Sequence, residues 1–152
     1  MVKQQTISPV DGSIYVEREL ATPQQIETAL EKASKAWQEW RTLSILERAD
    51  YCTRMVEHMI SKADDIATEL SWQMGRPIKY TPFEIKRGFA ERSSYMISIA
   101  EKALEDIEVE PKEGFTRFIR REPLGVVFTV APWNYPYLTS VNSIIPALMA
   151  GN

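Results

Sequence analysis

Gly125-Val126-Val127-Phe128-Thr129-Val130-Ala131-Pro132-Trp133-Asn134-Tyr135-Pro136 is the stretch that decides the fold. Val126–Val130 is an unbroken β-branched and aromatic run, the pattern of a strand buried on both faces in the parallel sheet of an α/β protein. Pro132 stops that strand, and Pro136 suits the first turn of a helix. On that helix Leu138, Val141, Ile144, Ile145 and Leu148 are apolar nearly all round. In open α/β sheets ligands bind outside the carboxyl ends of the strands, where this turn falls. Two prolines fix φ on either side of Asn134, so its carboxamide is held on a stiff loop beside a helix N-terminus. A neutral NH2 donor held that way suits an oxyanion, and the helix dipole has the matching sign. An asparagine between prolines also serves as a plain turn or cap residue, and local physics alone leaves both roles open.

Working outward, the charge map sets this stretch apart. The chain has 152 residues with 18 Lys+Arg and 21 Asp+Glu, and every one of these charges lies in residues 1–124. An uncharged tail over 125–152 implies a membrane span or a segment buried on all sides. A span needs about 20 predominantly apolar residues, and Pro132, Asn134, Pro136, Asn142 and Pro146 interrupt this one, so burial is expected. The net charge of −3 gives no reason to expect a nucleic-acid partner. Cys52 is the only cysteine and His58 the only histidine. An intrachain disulfide is therefore excluded, as is a zinc site made of four cysteines or of paired cysteines and histidines. No metal site is expected. The N-terminus, MVKQQTISPVDG, carries neither an apolar signal core nor an Arg-rich amphipathic leader, so the expected location is cytoplasmic.

Upstream, residues 6–20 read as two short strands around an Asp11-Gly12 turn. Thr22 with Gln25, and Ser44 with Glu47, are capping boxes that open two helices. The first carries Ile26, Ala29, Leu30, Ala33, Trp37 and Trp40 at helical spacing. The second carries Leu46, Ala49, Cys52, Met55, Val56, Met59 and Ile60. A third helix is expected from about Ser61, with Asp64 and Asp65 in its first turn and Gly75 as its C-cap. A fourth is expected with Thr81 as N-cap, Pro82 at the first helical position and Glu84 completing a box. Ile85, Phe89, Tyr95, Met96, Ile99, Ala103 and Leu104 form its stripe. These stripes read as core. Residues 115–122, FTRFIRRE, mix apolar and basic residues as a half-exposed antiparallel strand does.

The run PLGVVFTVAPWNYP, followed by Pro146-Ala147-Leu148-Met149-Ala150-Gly151-Asn152, resembles the NAD(P)-dependent aldehyde dehydrogenase superfamily. The Pro-Trp-Asn-aromatic-Pro pentapeptide is highly specific in this setting. The order of upstream elements fits as well, with Met74-Gly75-Arg76-Pro77 resembling the family's glycine-proline break, so the likeness covers essentially the whole chain. It implies an α/β fold: the N-terminal part of a Rossmann-like cofactor domain, helix-rich with an incomplete parallel sheet. Within it, 1–110 would be the strand pair plus four helices, 111–124 an oligomerisation arm, and 125–152 the buried strand, turn and helix.

The resemblance also implies roles. Asn134 matches the asparagine whose amide helps hold the thiohemiacetal oxyanion. Val130, Ala131, Pro132 and Trp133 match the strand end and turn along the nicotinamide side of NAD or NADP. Tyr135, Thr139 and Asn142 match the substrate channel, and Asn142 stands where many relatives carry a large aromatic residue. The arm implies a homo-oligomer, and the substrate would be a small aldehyde oxidised to the acid. In the family a cysteine thiolate attacks the aldehyde and a glutamate activates water; that cysteine lies beyond residue 152. Cys52 is expected to be a buried structural thiol with no basic neighbour placed to lower its pKa. The six glycines form no G-x-G pyrophosphate turn. The expectation is therefore the N-terminal fragment of an aldehyde-oxidising enzyme, inactive alone. The alternative is a non-catalytic binding or interaction module derived from such an N-terminus, whose core would have to close without further strands.

Overall fold

The computed structural model describes residues 2–152. Strands β1 (Lys3–Ile7) and β2 (Ile14–Glu19) form the expected antiparallel hairpin. Its turn is built by Asp11, whose Oδ1 accepts from the Ser13 N–H at 3.0 Å and the Ser13 hydroxyl at 2.7 Å. Ser8 Oγ donates to the Trp72 carbonyl at 2.7 Å and Tyr15 stacks on Trp72, so the hairpin is tied to the helices.

Both expected capping boxes open their helices, α1 (Pro23–Trp40) and α2 (Ile45–Ser61). Each satisfies two donors reciprocally: Thr22 with Gln25 at 3.2 and 2.8 Å, and Ser44 with Glu47 at 3.2 and 2.8 Å. Helix α3 (Ala63–Met74) starts two residues later than expected. It ends at Gly75, whose φ of +76° is the left-handed conformation glycine adopts without cost.

The next segment departs from expectation. Glu84–Phe89 is a π-helical turn leading into α4 (Ala90–Leu104). Thr81 is not an N-cap; its hydroxyl turns back to the Pro77 carbonyl at 3.1 Å and to Ser71 Oγ at 3.1 Å. Glu84 completes no box with Thr81, because its carboxylate reaches the start of α5 (Pro136–Met149) instead.

The core lies between α2, the π-helical turn, α4 and α5, where Cys52, Val56, Ile85, Phe89, Ala100, Val141, Ile145 and Met149 are buried. The stripe of α1 is not core: none of its residues is buried, and Ile26 and Leu30 are about half exposed. Only its C-terminal end meets the body, with Trp37 Nε1 donating to the Gly151 carbonyl and Trp40 Nε1 to the Leu148 carbonyl. Leu46, Ile60, Tyr95, Ile99 and Ala103 likewise stay exposed. An apolar stripe is buried only where another element stands against it, and helical spacing carries no information about the neighbour.

The expected buried strand at 126–130 is not formed. Phe128 is 90% exposed and Val130 75%. A strand needs a partner for its N–H and C=O groups, and among the described residues both strand pairs are antiparallel and lie elsewhere. The segment is held by Thr129 Oγ1 against Ser143 Oγ at 2.9 Å. Asn152 Oδ1 also holds it, accepting from the Leu124 and Gly125 N–H groups at 2.6 and 3.0 Å. Of residues 115–122 only Phe118–Ile119 (β4) is strand, paired with β3 (Ile107–Glu108).

Candidate functional site

The turn before α5 carries the expected site residues, and it is gripped from a distance. The Glu84 carboxylate, whose side chain is fully buried, accepts from the Tyr137 N–H at 2.8 Å and the Leu138 N–H at 3.0 Å. These are two of the donors a helix start leaves without intrahelical partners, and Pro136, at the first position, has none to leave. The carboxylate also sits at the positive end of the α5 dipole. Its second oxygen pairs with Arg76 Nη1. The other arm of the guanidinium, Nη2, donates to the Asn134 backbone carbonyl, and the guanidinium lies 4.2 Å from the centre of the Tyr135 ring. Burial, with the Glu84 charge beside it, pushes the Tyr137 phenol up.

The structure therefore corrects one part of the expectation. The N-terminal donors of α5 and its dipole are already taken by Glu84, so they are not available to an oxyanion. What the turn offers is the Asn134 carboxamide, which is exposed and makes no hydrogen bond among the described residues. Val130, Ala131, Pro132 and Trp133 precede it as an exposed line, with Trp133 79% exposed. Tyr135 is 45% exposed. Thr139 is half-buried and its hydroxyl is turned to the Tyr135 carbonyl at 2.5 Å, which ties the first turn of α5 to the loop. Asn142, one turn further on, is exposed. The predicted residues thus run from the segment before the turn, through it, to the first two turns of α5.

Sequence reasoning missed Arg76 and Glu84 as parts of this site. The available signal was an acid wedged between Phe83 and the stripe residue Ile85, a poor place for a solvated carboxylate. Cys52 is 1% exposed, and burial pushes its thiol up. One correction applies: Arg48 is a basic neighbour that pulls the thiol down, but burial outweighs it.

A separate apolar cleft of about 630 Å³ lies between the end of α1, residues 126–129 and α5, lined by Ala36, Trp40, Tyr51, Val127, Ile144 and Leu148 among others. None of the predicted site residues lines it. Among the described residues no helix is long and apolar enough to cross a membrane, and no group of three or more His, Cys, Asp or Glu could hold a metal ion.

The family model for the aldehyde dehydrogenase family matches residues 2–152, and the chain belongs to that family. An aldehyde dehydrogenase of Deinococcus radiodurans is 32% identical over 152 residues, covering 95% of this chain and 28% of the relative. A succinate-semialdehyde dehydrogenase [NADP(+)] of Mycobacterium avium is 31% identical, covering 97% of this chain and 32% of the relative. The structure of PnpE in complex with nicotinamide adenine dinucleotide superimposes with a TM-score of 0.90 at 26% identity, over 99% of this chain and 31% of that one. The fold is thus that of an aldehyde dehydrogenase, and the chain spans about a third or less of the length of these relatives.

Proposed function

We propose that this chain supplies the N-terminal part of the cofactor domain of an oxidoreductase that converts an aldehyde to the carboxylic acid with NAD or NADP. The observation that carries the reading is the Asn134 carboxamide, unpartnered and exposed on a turn whose backbone is held on both sides of Pro136. A pre-positioned neutral donor costs no reorganisation when negative charge develops on a carbonyl oxygen, so Asn134 acts as oxyanion donor. Val130, Ala131, Pro132 and Trp133 form an exposed, largely apolar wall, which fits the flat face of a nicotinamide ring. When bound, the dinucleotide supplies the hydride acceptor. Tyr135, Thr139 and Asn142 line the approach of the aldehyde. The thiol nucleophile comes from outside residues 1–152, because Cys52, the only cysteine of the chain, is buried in the core; in this reading the general base comes from outside them too. In this reading the intact enzyme is a cytoplasmic homo-oligomer joined through the 111–124 arm, with no nucleic-acid partner.

The test is aldehyde oxidation with NAD and with NADP, by residues 1–152 alone and by the complete gene product. The short chain is expected to show no turnover. Asn134→Ala in the complete product should lower kcat by about 100- to 1,000-fold, the usual loss for an oxyanion-hole donor. Thiol-dependent turnover by residues 1–152 alone, or a complete product that oxidises no aldehyde, would overturn the reading.

A further inference from the structure

We infer that Arg76 and Glu84 are positioning residues that set the direction of the Asn134 carboxamide; this rests on the reading of Asn134 as the oxyanion donor. Pro132 and Pro136 fix only their own φ angles and restrain the residues just before them, Ala131 and Tyr135, which leaves the dihedrals of Asn134 to be set by something else. Arg76 sets them. Its Nη2 holds the Asn134 carbonyl, which fixes the peptide plane after Asn134, and its face covers the Tyr135 ring. Glu84 holds the far side of the same turn through the Tyr137 and Leu138 N–H groups, and holds Arg76 as well. The loop is therefore clamped at residues 134–135 and again at 137–138 by one ion pair, whose two members lie on either side of Pro77.

Two features argue that this pair does more than stabilise. A buried ion pair is poor value for stability, since apolar replacements of similar volume often do as well. Here its second arm goes to the backbone of Asn134, whose own carboxamide is left free, although Arg76 could have satisfied its charge on Glu84 alone. Displacing a reacting group by about 1 Å can cost about 100-fold in rate, so a clamp on this carbonyl has a direct consequence for chemistry.

The experiment compares Arg76→Gln, Arg76→Lys and Glu84→Gln with Asn134→Ala in the complete gene product. Two readouts are taken: steady-state kinetics, and hydrogen exchange of peptides covering residues 133–140. Arg76→Gln and Glu84→Gln are expected to lower kcat by about 10- to 100-fold with the KM for dinucleotide unchanged. They should also speed exchange at 133–140 while leaving α2 protected. Arg76→Lys should recover part of kcat, since it keeps the charge and a donor nitrogen but not the two-armed fork. If Asn134→Ala collapses kcat but Arg76→Gln leaves both kcat and exchange as they were, the positioning role is wrong and the functional reading stands. If Asn134→Ala leaves kcat intact, the functional reading falls, and with it the role of the pair in setting a catalytic donor. Loss of protection across the whole molecule, with kcat and KM changing together and no recovery in Arg76→Lys, would reduce the pair to a structural one and overturn the inference.

Discussion

Glu84 caps a helix to which it does not belong: its carboxylate, on the π-helical turn, accepts the Tyr137 N–H of α5 at 2.8 Å across a separation of 53 residues. Removing it leaves two helix-start N–H groups and the Arg76 charge without their partner. Breaking a buried pair by deleting one member typically costs about 3–5 kcal/mol. Glu84→Ala is expected to lose stability in that range, measured by denaturant unfolding. Glu84→Gln should lose less, because its amide oxygen can still accept from the backbone.

Gly75 occupies two constraints at once. Its φ is +76°, and a Cβ there would stand 2.8 Å from Pro9 Cγ of the hairpin turn. Gly75→Ala should cost about 1–2 kcal/mol for the left-handed backbone alone, and more with the contact. The double variant with Pro9→Ala should recover the contact part and not the backbone part. Thermal melts of the four proteins in that cycle decide it.

The Cys52 thiol is pushed up by burial against the smaller opposing pull of Arg48. Its folded value exceeds its unfolded one, so stability is full below the unfolded value and falls as pH rises through the window between the two. Titration with a thiol reagent at mildly alkaline pH should therefore be slow in the native protein and fast in denaturant. Rapid native modification would refute a buried structural thiol.

Arg120 holds both oxygens of Asp106, at 3.0 and 2.6 Å, beside the β3–β4 pair. The side-chain hydrogen bond from Arg120 holds the Asp106 carboxyl below the usual range. With the folded value depressed, the contribution of the pair is present above the unfolded value and is lost as pH falls through the folded one. A carboxyl-carbon NMR titration should give a low value for Asp106 that returns to normal in Arg120→Gln. The effect should shrink at high salt, because the pair is exposed.

The Trp40 indole N–H donates to the Leu148 carbonyl at 3.1 Å, and with Trp37 it fastens the end of α1 to α5. Trp40→Phe keeps the ring and loses the donor, so the expected cost is about 1 kcal/mol, together with a change in tryptophan emission. A loss of several kcal/mol would instead mean that packing of the indole dominates.

Much of the site was legible because its chemistry is local. The proline-bounded turn that carries Asn134 and the start of α5 at Pro136 both follow from residues adjacent in the chain. The same holds for the Asp11-Gly12 turn, both capping boxes and the Gly75 cap. Glu84 shows where this reasoning ends. Three residues after Thr81 and just past a proline, it satisfied every local rule for a capping box. A closer competitor in space, the helix start at 137–138, took the carboxylate instead.

What the sequence by itself determined is therefore each element that stores its own hydrogen-bond partners within a few residues: helices with their caps, hairpin turn, proline turn and family signature. Only the tertiary structure decided which apolar stripes are buried, which strand runs are paired, and who holds the Asn134 turn. The stripe of α1 and the run Val126–Val130 have the right residues for burial and stay exposed, since burial and pairing require a second surface. The grip of Arg76 and Glu84 on residues 134–138 is likewise a relation between distant segments, set by their distance in space and by the cost of leaving a buried charge alone.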